Sequence, residues 1–96
     1  MRDIFPHNEF KRDLRRAARG RNCRVLVKGG EFDSVKDMLA NDIPLPPKYK
    51  DHPLHHNWEG SRECHIKPDF ILVYTLEGED LLIFERLGTH AEIFGL

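Results

Sequence analysis

The sequence predicts an α+β fold, a small antiparallel β-sheet with two N-terminal helices packed on one face, and three observations predict it. Phe10, Leu14, Ala17 and Ala18 recur at helical spacing early in the chain. Ile43-Pro-Leu-Pro-Pro47 forbids helix beyond the first half. From Ser61 onward, short runs rich in apolar residues alternate with turn signals, the pattern of an antiparallel meander. A strand, then helices, then several strands read as α+β with an antiparallel sheet.

Each element has its own signal. Arg2 to Pro6 reads as a short strand, and Asn8 is placed to cap a helix whose apolar face must pack on a sheet. Asn22 to Lys28 is open between helix and extended chain, and Gly29-Gly30 breaks either one. Asp33 or Ser34 can cap a shorter second helix through Val35, Met38 and Leu39, ending near Asn41. Tyr49 to Asn57 is a loop rich in His and Pro. Phe70 to Leu76 is apolar on both faces, which predicts a central strand covered on both sides, and Glu77-Gly78-Glu79 turns into a last strand over Leu81 to Leu87.

The 96 residues form one domain, 1–96, and its 40% hydrophobic and 32% charged residues suit an ordinary globule. The N-terminus lacks the apolar core of a signal peptide and no apolar run nears the roughly 20 residues needed to span a bilayer, so a cytoplasmic chain without membrane contact is expected. Cys23 and Cys64 lie outside any paired spacing and are expected to be reduced and structural. The formal net charge of −1 argues against bulk polyanion binding. Charge is uneven, however: Lys11, Arg12, Arg15, Arg16, Arg19, Arg21, Arg24 and Lys28 share their stretch with one acid, Asp13. That stretch reads as a solvated helix face on its own, or, with Arg15, Arg16 and Arg19 as candidate substrate-binding residues, as a surface for a phosphate backbone.

Chemistry concentrates in the last third. Period two puts Ser61, Glu63 and His65 on one strand face, opposite Cys64 and Ile66. Lys67-Pro68-Asp69 is a turn that brings the Asp69 carboxylate back toward His65. Arg86 falls on the side of Leu82 and Phe84 near a strand end, and Gly88 permits a sharp exit to Thr89-His90, predicting a guanidinium close to an imidazole. Such a set can cleave RNA without metal: a base takes the 2′-hydroxyl proton, an acid protonates the 5′-oxygen, and a guanidinium stabilises charge at phosphorus. Phe94 is placed to stack on a base.

Structural roles compete with these. Asp69 after proline forms turns, Arg86 can pair with Glu85, Glu92 or Glu63, and Phe94 can seal a core edge. Six histidines, five of them between His52 and His90, exceed what a core requires. His55 and His56 read as incidental loop residues. A metal site combining His52, His55 or His56 with His65 or His90 matches no standard zinc spacing, so neither a metal nor another cofactor is expected.

The blocks Leu45-Pro-Pro-Lys-Tyr-Lys-Asp-His52-Pro-Leu, Trp58-Glu-Gly-Ser-Arg-Glu-Cys-His65-Ile-Lys-Pro-Asp69-Phe-Ile-Leu-Val-Tyr and Glu85-Arg86-Leu-Gly-Thr-His90-Ala-Glu-Ile-Phe94 closely resemble the YafQ-like branch of the RelE/ParE toxin superfamily. The resemblance implies a bacterial type II toxin that cleaves mRNA on the ribosome, with contacts to ribosomal RNA, and that a cognate antitoxin holds inactive in a hetero-oligomer. Carried over by motif, it implies an active site of His52, His65, Asp69, Arg86 and His90, with Phe94 as a substrate contact. Phe70 stands where the family often has tryptophan. The roles expected are Arg86 for phosphate charge, His90 as general acid, Asp69 or His65 as general base, and His52 in support. The alternatives are a non-enzymatic binding module of the same fold, gyrase-targeting or an inactive toxin, and a zinc-dependent hydrolase.

Overall fold

The computed structural model describes residues 1–95. It contains a five-stranded sheet and three α-helices, with 3-10 turns at Cys23–Leu26, Pro47–Tyr49 and His56–Trp58. The strands are β1 (Asp3–Pro6), β2 (His52–Pro53), β3 (Arg62–Lys67), β4 (Phe70–Glu77) and β5 (Leu81–Gly88). The helices are α1 (Asn8–Ala17), α2 (Glu31–Ala40) and α3 (His90–Phe94). Sheet order is β1-β5-β4-β3-β2.

Two expectations about the architecture need correction. The sheet is mixed, because β1 runs parallel to β5 while every other pairing is antiparallel. A strand that precedes both helices can return to the far edge of the meander, and strand signals in a sequence carry no direction. A third helix follows β5. Thr89 caps it, accepting from the Glu92 backbone N–H at 3.1 Å while Glu92 accepts from the Thr89 N–H at 2.9 Å, a reciprocal capping box.

Helix starts are also shifted. His7, not Asn8, occupies the cap position of α1, and α2 begins at Glu31 behind Gly30. Asp33 instead accepts the Gly29 N–H at 2.8 Å and closes the turn before α2. The open segment 22–28 resolves into the 3-10 turn, with Val25 buried.

β4 is the central strand and is buried on both faces, as its apolar run predicts. Phe70, Leu72 and Tyr74 join Leu82, Phe84 and Leu87 beneath α1 and α2. Phe10, Phe32 and Phe84 form the aromatic centre of that layer, with ring centroids 5.1 to 6.2 Å apart. On the opposite face Ile71 and Val73 pack with Ile93, Leu54, Trp58 and Phe94. α3 therefore rests on the second face of the sheet, and its apolar side fixes where His90 stands. Both cysteines are free, Cys23 exposed and Cys64 buried, and burial pushes the Cys64 thiol well above its usual range. No helix among the described residues is long and apolar enough to cross a membrane.

Candidate active site

Three histidines converge on one carboxylate oxygen. Glu63 Oε2 lies 3.2 Å from His52 Nε2, 3.1 Å from His65 Nε2 and 3.3 Å from His90 Nε2. The sheet builds most of this directly. His52 pairs across strands with Glu63, which puts both side chains on one face, and period two adds His65. Glu63 is only 4% exposed, so its carboxylate depends on these contacts to satisfy it.

The surrounding loop holds His52 in place through its neighbours. Buried Tyr49 donates from its hydroxyl to Glu31 at 2.8 Å, and Asp51 accepts from the Tyr74 hydroxyl at 2.6 Å and from Arg62 Nε at 3.2 Å. Burial and the Glu31 bond push the Tyr49 phenol up to about 12. Lys50, between the two anchors, takes a left-handed conformation, and its carbonyl lies 2.6 Å from His52 Nδ1.

His90 arrives from α3. Its Nδ1 is 2.8 Å from Asp69 Oδ1, and its backbone N–H donates to the same oxygen at 3.1 Å. With a carboxylate at each ring nitrogen, both nitrogens are called on to donate, which favours the imidazolium. The bond to Asp69 accordingly raises the His90 pKa above the usual value of 6.5, aided by Glu63 and opposed by burial, and the bond to His90 holds Asp69 below the usual 3.8. The His65 and His90 ring centroids are 5.3 Å apart, and those of His52 and His65 6.0 Å. His65 Nδ1 lies 3.1 Å from the Pro68 carbonyl.

The structure thus brings together His52, His65, Asp69 and His90. Phe94 borders the group, 6.1 Å from the His90 ring and edge-on to Trp58 at 5.9 Å. His55 and His56 are exposed loop residues.

Arg86 is held from the helical side, by an acid of α1. A bulge at Glu85 interrupts the β4–β5 register, and the guanidinium is bound to Asp13 of α1, Nε to Oδ2 at 2.7 Å and Nη2 to Oδ1 at 3.2 Å. No hydrogen bond or ion pair among the described residues joins Arg86 to the four imidazole and carboxylate groups. Asp13, fully buried, also accepts the Leu87 N–H at 3.0 Å and Arg16 Nη2 at 3.1 Å. Its bonds to Arg86 raise the guanidinium pKa further. Arg16 is itself committed, with Nε 3.1 Å from Glu92, while Arg15 and Arg19 are exposed. Gly88 is required where this network crosses the chain: at φ 156° a Cβ would stand 2.7 Å from Glu92 Oε1 and 3.0 Å from Arg16 Nη2.

Sequence reasoning misses two residues. Glu63 reads there only as an ion-pair candidate, although its strand spacing to His65 marks it as a face-sharing partner. Asp13 is the lone acid in a basic run and falls three residues after Phe10 and four before Ala17, on the apolar side of α1. His52, Glu63 and His65 also form a set able to hold a metal ion, their donor atoms all within 4.8 Å of one another.

The fold that carries this cluster, a small mixed sheet with helices on both faces, is similar to that of solved toxin structures. The profile described as a bacterial toxin of type II toxin-antitoxin systems, YafQ, matches residues 2–95. The mRNA interferase toxin YafQ of Escherichia coli K12 is 53% identical over 95 residues, 99% of this chain and 98% of that protein. The crystal structure of the E. coli DinJ-YafQ complex contains a chain 40% identical with a TM-score of 0.81, covering 99% of this chain and 100% of that one. A metal-bound toxin from Helicobacter pylori is 39% identical with a TM-score of 0.77, over 98% of this chain and 100% of that chain. The chain belongs to the YafQ family of type II toxins.

Proposed function

We propose that this chain is an mRNA endoribonuclease toxin that acts on the translating ribosome in the cytoplasm and is silenced by a cognate antitoxin. The observation that carries the reading is the placement of His90, with an acidic group at each ring nitrogen and a second imidazole 5.3 Å away. A histidine biased toward its protonated form beside a group able to accept a proton is what internal RNA transesterification needs. The sequence similarity to E. coli YafQ, whose name carries the mRNA interferase activity, and to the toxin chain of the DinJ-YafQ complex supports the substrate class and an antitoxin partner.

In the proposed reaction Asp69 or His65 takes the proton of a 2′-hydroxyl, whose oxygen bonds to the adjacent phosphorus. The bond from phosphorus to the 5′-oxygen breaks, and His90 delivers its proton to that leaving oxygen. The products are a 2′,3′-cyclic phosphate and a 5′-hydroxyl end. Arg86 is assigned to phosphate charge. In the free protein Asp13 takes the Nε proton and one of the Nη2 protons, so both Nη1 protons and the second Nη2 proton are left to meet an incoming oxygen. His52 and Glu63 hold the imidazole group together, and Phe94 is assigned to stack on a base.

A second reading, a metal-dependent hydrolase, is favoured by the His52, Glu63 and His65 donor set and by the similarity to a metal-bound H. pylori toxin. The acid, base and cation named above complete the chemistry without a metal, so cleavage is expected to survive a chelator. Loss of cleavage in chelator, restored by added zinc, would establish the second reading. Induced expression in cells distinguishes the enzyme from a gyrase-targeting binder of the same fold. Protein synthesis should stop first and mRNA should be cut, whereas an initial arrest of DNA replication would overturn the proposal.

A further inference from the structure

Beside the histidine cluster a series of clefts shares its walls. A cleft of about 220 Å³ is lined by Arg21, Lys67, Pro68, Asp69 and Thr89. It shares Arg21 and Thr89 with a second cleft of about 260 Å³ that reaches Arg16 and Glu92. It shares Arg21 and Lys67 with a third, of about 520 Å³, that adds Arg24. Lys67 continues into a fourth, of about 280 Å³, bounded by Lys48, Lys50 and His65. Together they form a trough that passes Asp69, the partner of His90, and ends against His65.

The charges along this trough do not cancel. Its acids are already engaged: Glu92 by Arg16, Asp69 by His90, and Glu31 by the Tyr49 hydroxyl and, at 3.9 Å, Lys67 Nζ. Arg21, Arg24, Lys48 and Lys50 have no carboxylate within ion-pair distance among the described residues, and all four are exposed. Arg21 is near enough to Asp69 to add, after the dominant His90 bonds, to the effects that keep that carboxylate ionised. A trough with surplus cations at intervals suits a chain of phosphates better than a single anion.

We propose that Arg21 and Lys67 are phosphate-binding residues that seat a single-stranded RNA backbone in this trough, so that the strand is led past Asp69 and His90 to His65. The inference rests on the ribonuclease reading and names residues on the 18–22 turn and the β3–β4 turn in place of the face of α1. Each residue sits where two or more clefts meet, so replacing both removes adjacent phosphate ligands while every side chain of the histidine cluster stays in place.

Binding of a fluorescent, fully 2′-O-methylated single-stranded RNA, which has no 2′-hydroxyl to attack, tests this by anisotropy over a salt series. Wild type is compared with Arg21→Ala/Lys67→Ala and with Arg12→Ala/Lys36→Ala, which removes the same charge elsewhere. The trough variant should bind about tenfold more weakly or worse, with its salt slope reduced by about 1.4, roughly 0.7 for each single-strand phosphate left without its cation. The control should stay near wild type, and Arg21→Lys/Lys67→Arg should recover binding, which excludes misfolding. Equal binding by wild type and the trough variant, equal weakening in the control, or no binding by wild type would overturn the inference. If wild type binds as expected but cuts no mRNA on ribosomes, the ribonuclease reading fails while the trough assignment stands.

Discussion

A single oxygen of Asp69 holds His90 twice, accepting its backbone N–H at 3.1 Å and standing 2.8 Å from its ring Nδ1. The two bonds fix both the start of α3 and the rotation of the imidazole, and they aim Nε2 at Glu63. A side chain anchored in this way meets a substrate with little orientational freedom left to lose.

The first consequence is a titration. By histidine NMR His90 should titrate above 6.5, and Asp69→Asn should bring it down, because the largest cause of its elevation is then gone. An unchanged His90 titration in the variant would contradict the pairing. The same pair carries a stability window. Asp69 has a lowered pKa in the fold, so its contribution is present above its unfolded value near 3.8 and is lost as pH falls. The raised pKa of His90 gives a contribution present below its unfolded value near 6.5 and lost as pH rises through the folded one.

The pH profile of cleavage separates the two candidate bases. With Asp69 as base and His90 as acid, kcat/KM should hold a plateau whose acid limb lies below pH 3.8 and whose alkaline limb lies above 6.5. An acid limb near neutrality would assign the base to an imidazole instead.

Glu63 is expected to act by positioning. Glu63→Ala removes the oxygen shared by His52, His65 and His90, and the freed rings should lower kcat on the order of 10²-fold, with KM little changed. A fall in stability with kcat intact would show Glu63 to be structural only. The His90 titration offers a second readout, since removing Glu63, its other acidic partner, should lower it.

Asp13→Ala leaves the Arg86 guanidinium buried without its partner, a loss of about 3–5 kcal/mol in chemical denaturation. Asp13→Ala/Arg86→Leu should recover part of that loss because no charge is then stranded. A double variant as unstable as the single one would place the importance of Asp13 in its bonds to Leu87 and Arg16.

Much of this is legible in the amino-acid sequence. The central position of β4 follows from an apolar run on both faces, and the return of Asp69 toward His65 follows from period two and a tight turn. The bond of His90 to Asp69 is not read that way, because a third helix that strand spacing does not reveal delivers His90. The parallel pairing of β1 is not legible, because a strand's sequence shows which residues want burial and not which edge it joins. The Asp13 bond to Arg86 spans 73 positions, a separation that no local pattern encodes. The bulge at Glu85 compounds this, since one inserted residue changes where a strand-end side chain is directed.

The most direct test incubates purified wild type and His90→Ala with programmed ribosomes in chelator and maps the mRNA ends by primer extension. Site-specific cuts with 5′-hydroxyl ends by wild type, reduced about 10²–10⁴-fold in the variant while antitoxin binding is retained, are the predicted result. Undiminished cutting by His90→Ala, or no cutting by wild type, would contradict a catalytic role for His90 in mRNA cleavage.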